Sequence, residues 1–153
     1  MLGRRISVGR MDIDSRSRES KSNSGGLIMF TELVVWKKAM ELVKRVYALS
    51  KKFPADERYA LTDQLRRAAV SIPSNIAEGS GRSSNADYAH FLAIARGSLY
   101  ETMTQLRIAV DLGYISELSE DINALIDEVG RMLGAMLKKY GSIRCSTSTP
   151  DFN

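Results

Sequence analysis

The chain has 153 residues, 44% of them hydrophobic and 26% charged, with a net charge of +4, the size and balance of one soluble globular domain. No apolar run approaches the roughly 18 residues that span a bilayer, and residues 1–28 lack the apolar segment of a signal peptide. One histidine and one cysteine, Cys145, exclude an internal disulfide and argue against a zinc site, and the lone cysteine favours a reducing, cytoplasmic setting. The positive charge sits mostly at one end, with a net of +3 in residues 1–28 and only +1 in residues 29–141. The high pI is therefore poor support for a nucleic-acid-binding fold.

Residues 1–28 are rich in Ser, Arg and Gly and have no apolar period, so they read as a disordered basic segment. Met29 directly precedes the first periodic residues. The upstream segment is either an over-extended start or a basic arm.

The first helix is expected from about Glu32 to Phe53, with Thr31 as its N-cap. Its polar residues share an arc of roughly 140°. The rest is apolar and forms two seams. Leu33, Trp36, Met40, Val43 and Tyr47 make one; Val35, Ala39, Leu42, Val46, Leu49 and Phe53 make the other. A monomeric bundle needs one broad stripe, so two seams predict burial on two sides and hence an oligomer. The basic pairs Lys37/Lys38, Lys44/Arg45 and Lys51/Lys52 recur every seven residues and draw a positive stripe, interrupted by Glu41. Such a stripe suits a phosphate backbone. It is equally a solvated outer face.

Phe53-Pro54-Ala55-Asp56 breaks the chain, because proline disfavours helical geometry at the residue before it. Asp56 and Glu57 then supply negative charge at the N-terminus of a second helix. That helix runs to about Glu78, with Leu65, Ala68/Ala69, Ile72 and Ile76 as its apolar period. Pro73 lies inside the period, where a kink or break is expected. A polar stripe at the same spacing (Gln64, Ser71, Asn75, Glu78) is expected to be partly buried and hydrogen-bonded. The Gly79-Ser80-Gly81 loop has neither the preceding strand nor the following Gly-Lys of a phosphate-binding loop, so it reads as a plain turn.

The third helix starts at Ser84 or Asn85, where Ser84-Asn85-Ala86-Asp87 resembles a capping box, and ends at Gly113 as its C′ residue. Ser98, Glu101 and Gln105 form a polar stripe beside its apolar face. Folding helices two and three as a hairpin about residue 81 brings Arg66 or Arg67 near Glu101, and Gln64 near Gln105. A buried Arg–Glu pair is expected there, with Gly97 allowing close approach. The fourth helix is expected from Ser116 to Gly141, acidic at its start and basic at its end. Its acidic half offers a second partner for the basic stripe, across an interface. Residues 142–153 read as a flexible tail.

No catalytic constellation emerges. His90 has no nucleophile at helical spacing, and no Glu-x-x-His motif of a dimetal bundle occurs. Ser71, Ser98 and Asn75 lack a histidine partner by sequence. Gln64, Arg66, Arg67, Ser71, Asn75, Glu78, Ser98, Glu101 and Gln105 read instead as a buried polar network that fixes helix register. No cofactor or metal is expected.

The segment Arg66-Arg67-Ala68-Ala69-Val70-Ser71-Ile72-Pro73-Ser74-Asn75-Ile76-Ala77-Glu78-Gly79 resembles the signature of bacterial four-helix-bundle proteins encoded in intervening sequences of 23S ribosomal RNA genes. Trp36 with Ala39, Phe53-Pro54 with Glu57, and Ala95-Arg96-Gly97-Ser98-Leu99 with Glu101 extend the resemblance over about Phe30 to Tyr140. It implies an all-α, up-down-up-down four-helix bundle over residues 29–141 and a ring-shaped homopentamer. A related group of bundles serves as accessory partner to reverse transcriptases in diversity-generating retroelements. That similarity implies a non-catalytic scaffold that binds RNA or a reverse transcriptase. The alternative is a structural, protein-interaction oligomer with no nucleic-acid role.

Overall fold

The computed structural model describes residues 29–141. The readings made for residues 1–28 and 142–153, Cys145 included, lie outside them. Every regular element among the described residues is helical: a single turn α1 (Met29–Glu32), then α2 (Val34–Ser50), a 3-10 turn (Ala55–Tyr59), α3 (Leu61–Ser80), α4 (Asn85–Asp111) and α5 (Glu120–Gly141). None of these helices is long and apolar enough to cross a membrane.

The helix boundaries follow local chemistry, and several differ from the periodicity. Thr31 does not cap the first long helix. The chain makes one turn, breaks at Leu33 in extended geometry with no side-chain cap, and restarts. An aromatic contact fixes this entry, with the Phe30 and Trp36 rings edge-to-face at 5.3 Å. Helix α2 stops at Ser50, three residues early, because Pro54 holds Phe53 out of helical geometry. Phe53 is buried instead and meets the Tyr114 ring at 5.9 Å.

The second predicted helix divides into the 3-10 turn and α3. Glu57 joins them: one carboxylate oxygen accepts the Leu61 N–H at 3.1 Å and the other accepts the Tyr114 hydroxyl at 2.7 Å. The Tyr114 and Leu61 hydrogen bonds hold the Glu57 carboxyl below its ordinary range. The same bond to Glu57, with burial, pushes the Tyr114 hydroxyl up.

Pro73 lies within α3 without ending it. Its ring removes the N–H that would bond the Ala69 carbonyl. Neighbouring side chains add donors to that stretch of backbone. Ser74 Oγ donates to the Val70 carbonyl at 2.8 Å and Asn75 Nδ2 to the Ser71 carbonyl at 2.8 Å.

Ser84 caps α4 as expected, accepting the Asp87 N–H at 3.0 Å. Gly113, with φ of 74°, ends it in a Schellman motif. Its N–H reaches the Val110 carbonyl and the Tyr114 N–H reaches that of Ala109, each at 2.9 Å. The last helix begins later than expected, because the segment from Tyr114 first buries Ile115. The Ser119 carbonyl, rather than Ser116, accepts the opening bonds from Ile122 and Asn123, at 3.1 Å each.

The four long helices pack in a closed cycle, α2 against α3 and α5, and α4 against α3 and α5. Each contacting pair runs antiparallel. Arg66 reaches Ser50, while further along Val70, Pro73 and Ala77 line one groove with Trp36, Met40 and Val43. Ser71 meets Ser98 and Gly79 meets Tyr88. The tilted rings of Tyr88 and Tyr140 lie 4.9 Å apart, while Leu99 meets Gly130. Lys38 and Arg45 pair with Glu128 and Asp121. Leu42, Leu65, Ile72, Ile76, Leu92, Leu99, Leu106, Val129 and Leu133 are fully buried in the centre. Burial of side chains of this size contributes about 1.5–3 kcal/mol each.

Gly97 is not the point of close approach, since a Cβ there would meet nothing within 4 Å. Gly79 is. A Cβ on Gly79 would lie 2.8 Å from Phe91 Cβ and 2.8 Å from Tyr88 Cδ2. The Phe91 atom is tied to the α4 backbone and cannot swing aside. Gly79→Ala should therefore lower stability by about 1–3 kcal/mol in urea unfolding, despite alanine's better helix propensity. Unchanged or raised stability would show that α3 and α4 separate easily. Tyr114→Phe should be less stable than wild type at neutral pH. A carboxylate with a lowered folded pKa stabilises above its unfolded value of about 4.3, and that contribution is lost as pH falls through the folded value. The gap between the two proteins should therefore close in acid. A pH-independent gap would show that Glu57 does not supply it.

Candidate nucleic-acid and docking surfaces

The basic stripe lies along α2 and the residues just after it, but half of it is already engaged. Lys37 pairs with Glu32 at 3.0 Å. Lys38 reaches across to Glu128 of α5 at 3.0 Å. The hydrogen bond and charge of Glu128 push the Lys38 pKa up, so the ammonium stays charged. Arg45 lies 3.7 Å from Glu41 and 3.4 Å from Asp121. The acidic start of α5 thus meets the basic stripe within one chain. These pairs are partly exposed, so solvent and salt screen them and each adds little stability. Lys44, Lys51 and Lys52 are exposed and make no ion pair among the described residues.

The polar network is smaller than the sequence suggests. Its centre joins α3 to α4: Ser71 Oγ and Ser98 Oγ lie 2.8 Å apart, and Asn75 Nδ2 donates to Ser71 Oγ at 2.9 Å. Ser98 also donates to the Ile94 carbonyl at 3.1 Å. Thr102, fully buried one turn on, donates to the Ser98 carbonyl at 2.8 Å. It went unnoticed in the sequence because threonine suits an apolar stripe.

The expected Arg–Glu pair does not form. Arg67 is exposed and bridges Asp63 on its own helix at 2.7 Å. Arg66 turns toward α2, where its Nε donates to Ser50 Oγ at 2.9 Å and its guanidinium lies 5.0 Å above the Tyr47 ring. Glu101 is exposed and accepts only from Gln105 Nε2, at 3.2 Å. Gln105 is buried, and its Oε1 is an orphaned buried acceptor. Gln64 is exposed, and Glu78 is exposed beside Arg82. The helix pitch explains the difference: Leu65, Ala68, Ala69 and Ile72 occupy the buried face, and Gln64 and Arg67 fall outside it.

Among the described residues, no group of three His, Cys, Asp or Glu side chains is placed to hold a metal ion. His90 is exposed, its ring against Phe91 at 5.7 Å.

The two apolar seams of α2 meet different fates. Val35, Ala39, Leu42 and Val46 are buried in the centre. Trp36, Met40 and Val43 are only half-buried and Tyr47 is 40% exposed. With Phe30, and with Val70, Pro73 and Ala77 of α3, they line an open apolar groove of about 300 Å³. The contribution of α3 was hidden in the sequence, because Val70 and Ala77 fall outside the period of Leu65, Ala68/Ala69, Ile72 and Ile76, and Pro73 reads there as a kink or break. A second apolar groove of about 470 Å³ opens between Leu33 and Val34 of the entry to α2 and Met132 and Met136 of α5. Monomeric surfaces seldom leave contiguous apolar area of this kind uncovered.

Comparison with known proteins adds a family to this geometry. The family model for 23S rRNA-intervening sequence proteins matches residues 31–135. A solved protein of unknown function from the S23 ribosomal protein family of Bacteroides thetaiotaomicron is similar, with a TM-score of 0.59 and 27% identity, covering 69% of this chain and 99% of that one. No match was found among curated proteins. The match spans the basic stripe, the hydroxyl seam and the start of every long helix, and the chain belongs to the 23S rRNA-intervening sequence protein family.

Proposed function

We propose that the chain is an up-down-up-down four-helix bundle that assembles into a ring-shaped homo-oligomer, a pentamer as the family resemblance implies. In this reading it is a non-catalytic, cytoplasmic bacterial scaffold that binds RNA or a nucleic-acid-processing partner such as a reverse transcriptase. One observation carries the reading: α2 presents an uncovered apolar face and, beside it, exposed cations without ion pairs. The apolar face calls for a second copy, because burying Trp36, Met40 and Val43 against another chain removes them from water. Lys44, Lys51 and Lys52 would then line the assembled surface and gather phosphates by counterion release.

A structural oligomer without nucleic acid is the second reading. The observation that favours it is the neutralisation of Lys38 and Arg45 by α5, which thins the stripe. The two readings share the assembly and differ in salt response. The triple change of Lys44, Lys51 and Lys52 to Glu should leave the assembled mass intact and weaken RNA binding. If all three lysines contact single-stranded phosphates, the log–log salt slope should fall by about 2. Equal RNA binding by wild type and the triple variant would favour the structural oligomer. Independently, Met40→Glu with Val43→Glu should convert the assembly to folded monomer, read by light scattering with helical circular dichroism retained. An unchanged mass would remove α2 from the interface.

A further inference from the structure

The corner where α2 hands over to α3 gathers further cations at the end of the stripe and shares Lys51 with it. Ser50, Lys51, Arg58, Thr62 and Arg66 line a pocket of about 310 Å³ beside the turn that follows α2. No carboxylate lines it. Of the nearby acids, Glu57 serves Leu61 and Tyr114, Asp63 serves Arg67, and Asp56 does not line the pocket. Three positive side chains around one small concavity repel one another until an anion joins them.

Each cation keeps donors to spare. Arg66 commits its Nε to Ser50, leaving the other guanidinium donors. Lys51 has no ion pair among the described residues, and the Arg58 guanidinium lies 5.8 Å from the adjacent Tyr59 ring. Thr62 lines the same pocket and is only 5% exposed as a residue. Thr62 also lies in the first turn of α3, where the helix dipole favours negative charge.

We propose that this pocket binds a phosphate group, as a free phosphate or monoester or as one phosphodiester of an RNA strand. Arg66 and Arg58 supply planar, paired donors suited to phosphate oxygens, Lys51 supplies a point charge, and the Thr62 hydroxyl donates to a remaining oxygen. The inference goes beyond the scaffold reading and does not require it, since Arg58, Thr62 and Arg66 lie off the α2 stripe.

The test is calorimetric titration of the full chain with inorganic phosphate at constant ionic strength. Saturable binding is expected. Arg58→Gln and Thr62→Val should each weaken it at least about fivefold, the scale of one lost charge-assisted or neutral hydrogen bond. Arg107→Gln, which removes the same charge from α4, should leave it unchanged. No saturable binding, or equal weakening by Arg107→Gln, would overturn the proposal. A short RNA oligonucleotide titrated in competition separates the sources. Displacement of phosphate identifies a strand phosphodiester, and phosphate binding without displacement identifies a free phosphate or monoester, a result that supports the pocket while counting against RNA at this corner.

Discussion

The close fit of α3 against α4 is the constraint on which the rest of the molecule depends. Ala68, Ala69 and Gly79 of α3 are buried small residues, and Gly79 lies against Tyr88 and Phe91 of α4. At Gly79 the gap is too narrow for even a methyl group. A pairing held so closely fixes its own register, and the Ser71–Ser98 hydroxyl contact has partners only in that register. Neighbouring hydroxyls and carbonyls satisfy one another, so the seam is polar without being costly. Pro73 lies in the same stretch, where Ser74 and Asn75 add side-chain donors to the Val70 and Ser71 carbonyls. The segment that carries the family signature is thus one of packing and register, which explains how it stays recognisable without an obvious chemical role.

A second constraint comes from α2, which has too much apolar surface for the space available inside. The centre takes Val35, Ala39, Leu42 and Val46. The opposite seam is left on an open groove with Val70 and Pro73 of α3. Charge on the same helix divides similarly. The cations nearest α5 are neutralised by Glu128 and Asp121, and those facing away remain available. One helix therefore does three jobs: it fills the core, holds α5, and presents a mixed apolar and basic surface outward.

Much of this was legible in the sequence because it rests on period and punctuation. The four long helices, Ser84 as a cap, Gly113 as a left-handed stop and the two faces of α2 all follow from spacing and residue type. Contacts that depend on three-dimensional choice were not legible. Glu57 was read as a dipole partner, and the structure makes it a clasp between Leu61 and Tyr114, 57 residues away. Arg66 and Arg67 were paired by hairpin counting with Glu101. Each found a nearer partner, because an i,i+4 neighbour or an adjacent helix costs less ordering than a long reach. Hairpin counting placed the close approach at Gly97, whereas aromatic residues on α4 put it at Gly79. The pocket at the α2–α3 corner was invisible, since its residues belong to a helix end, a turn and a helix start with no common period.

The most direct measurement is the mass of the full chain in solution by light scattering, at low and high salt. The account predicts an assembly several times the 17.0 kDa of one chain. Because its interface is apolar, that mass should persist as salt rises. A monomer of 17.0 kDa under both conditions would contradict the claim that the outer face of α2 is an interface between copies.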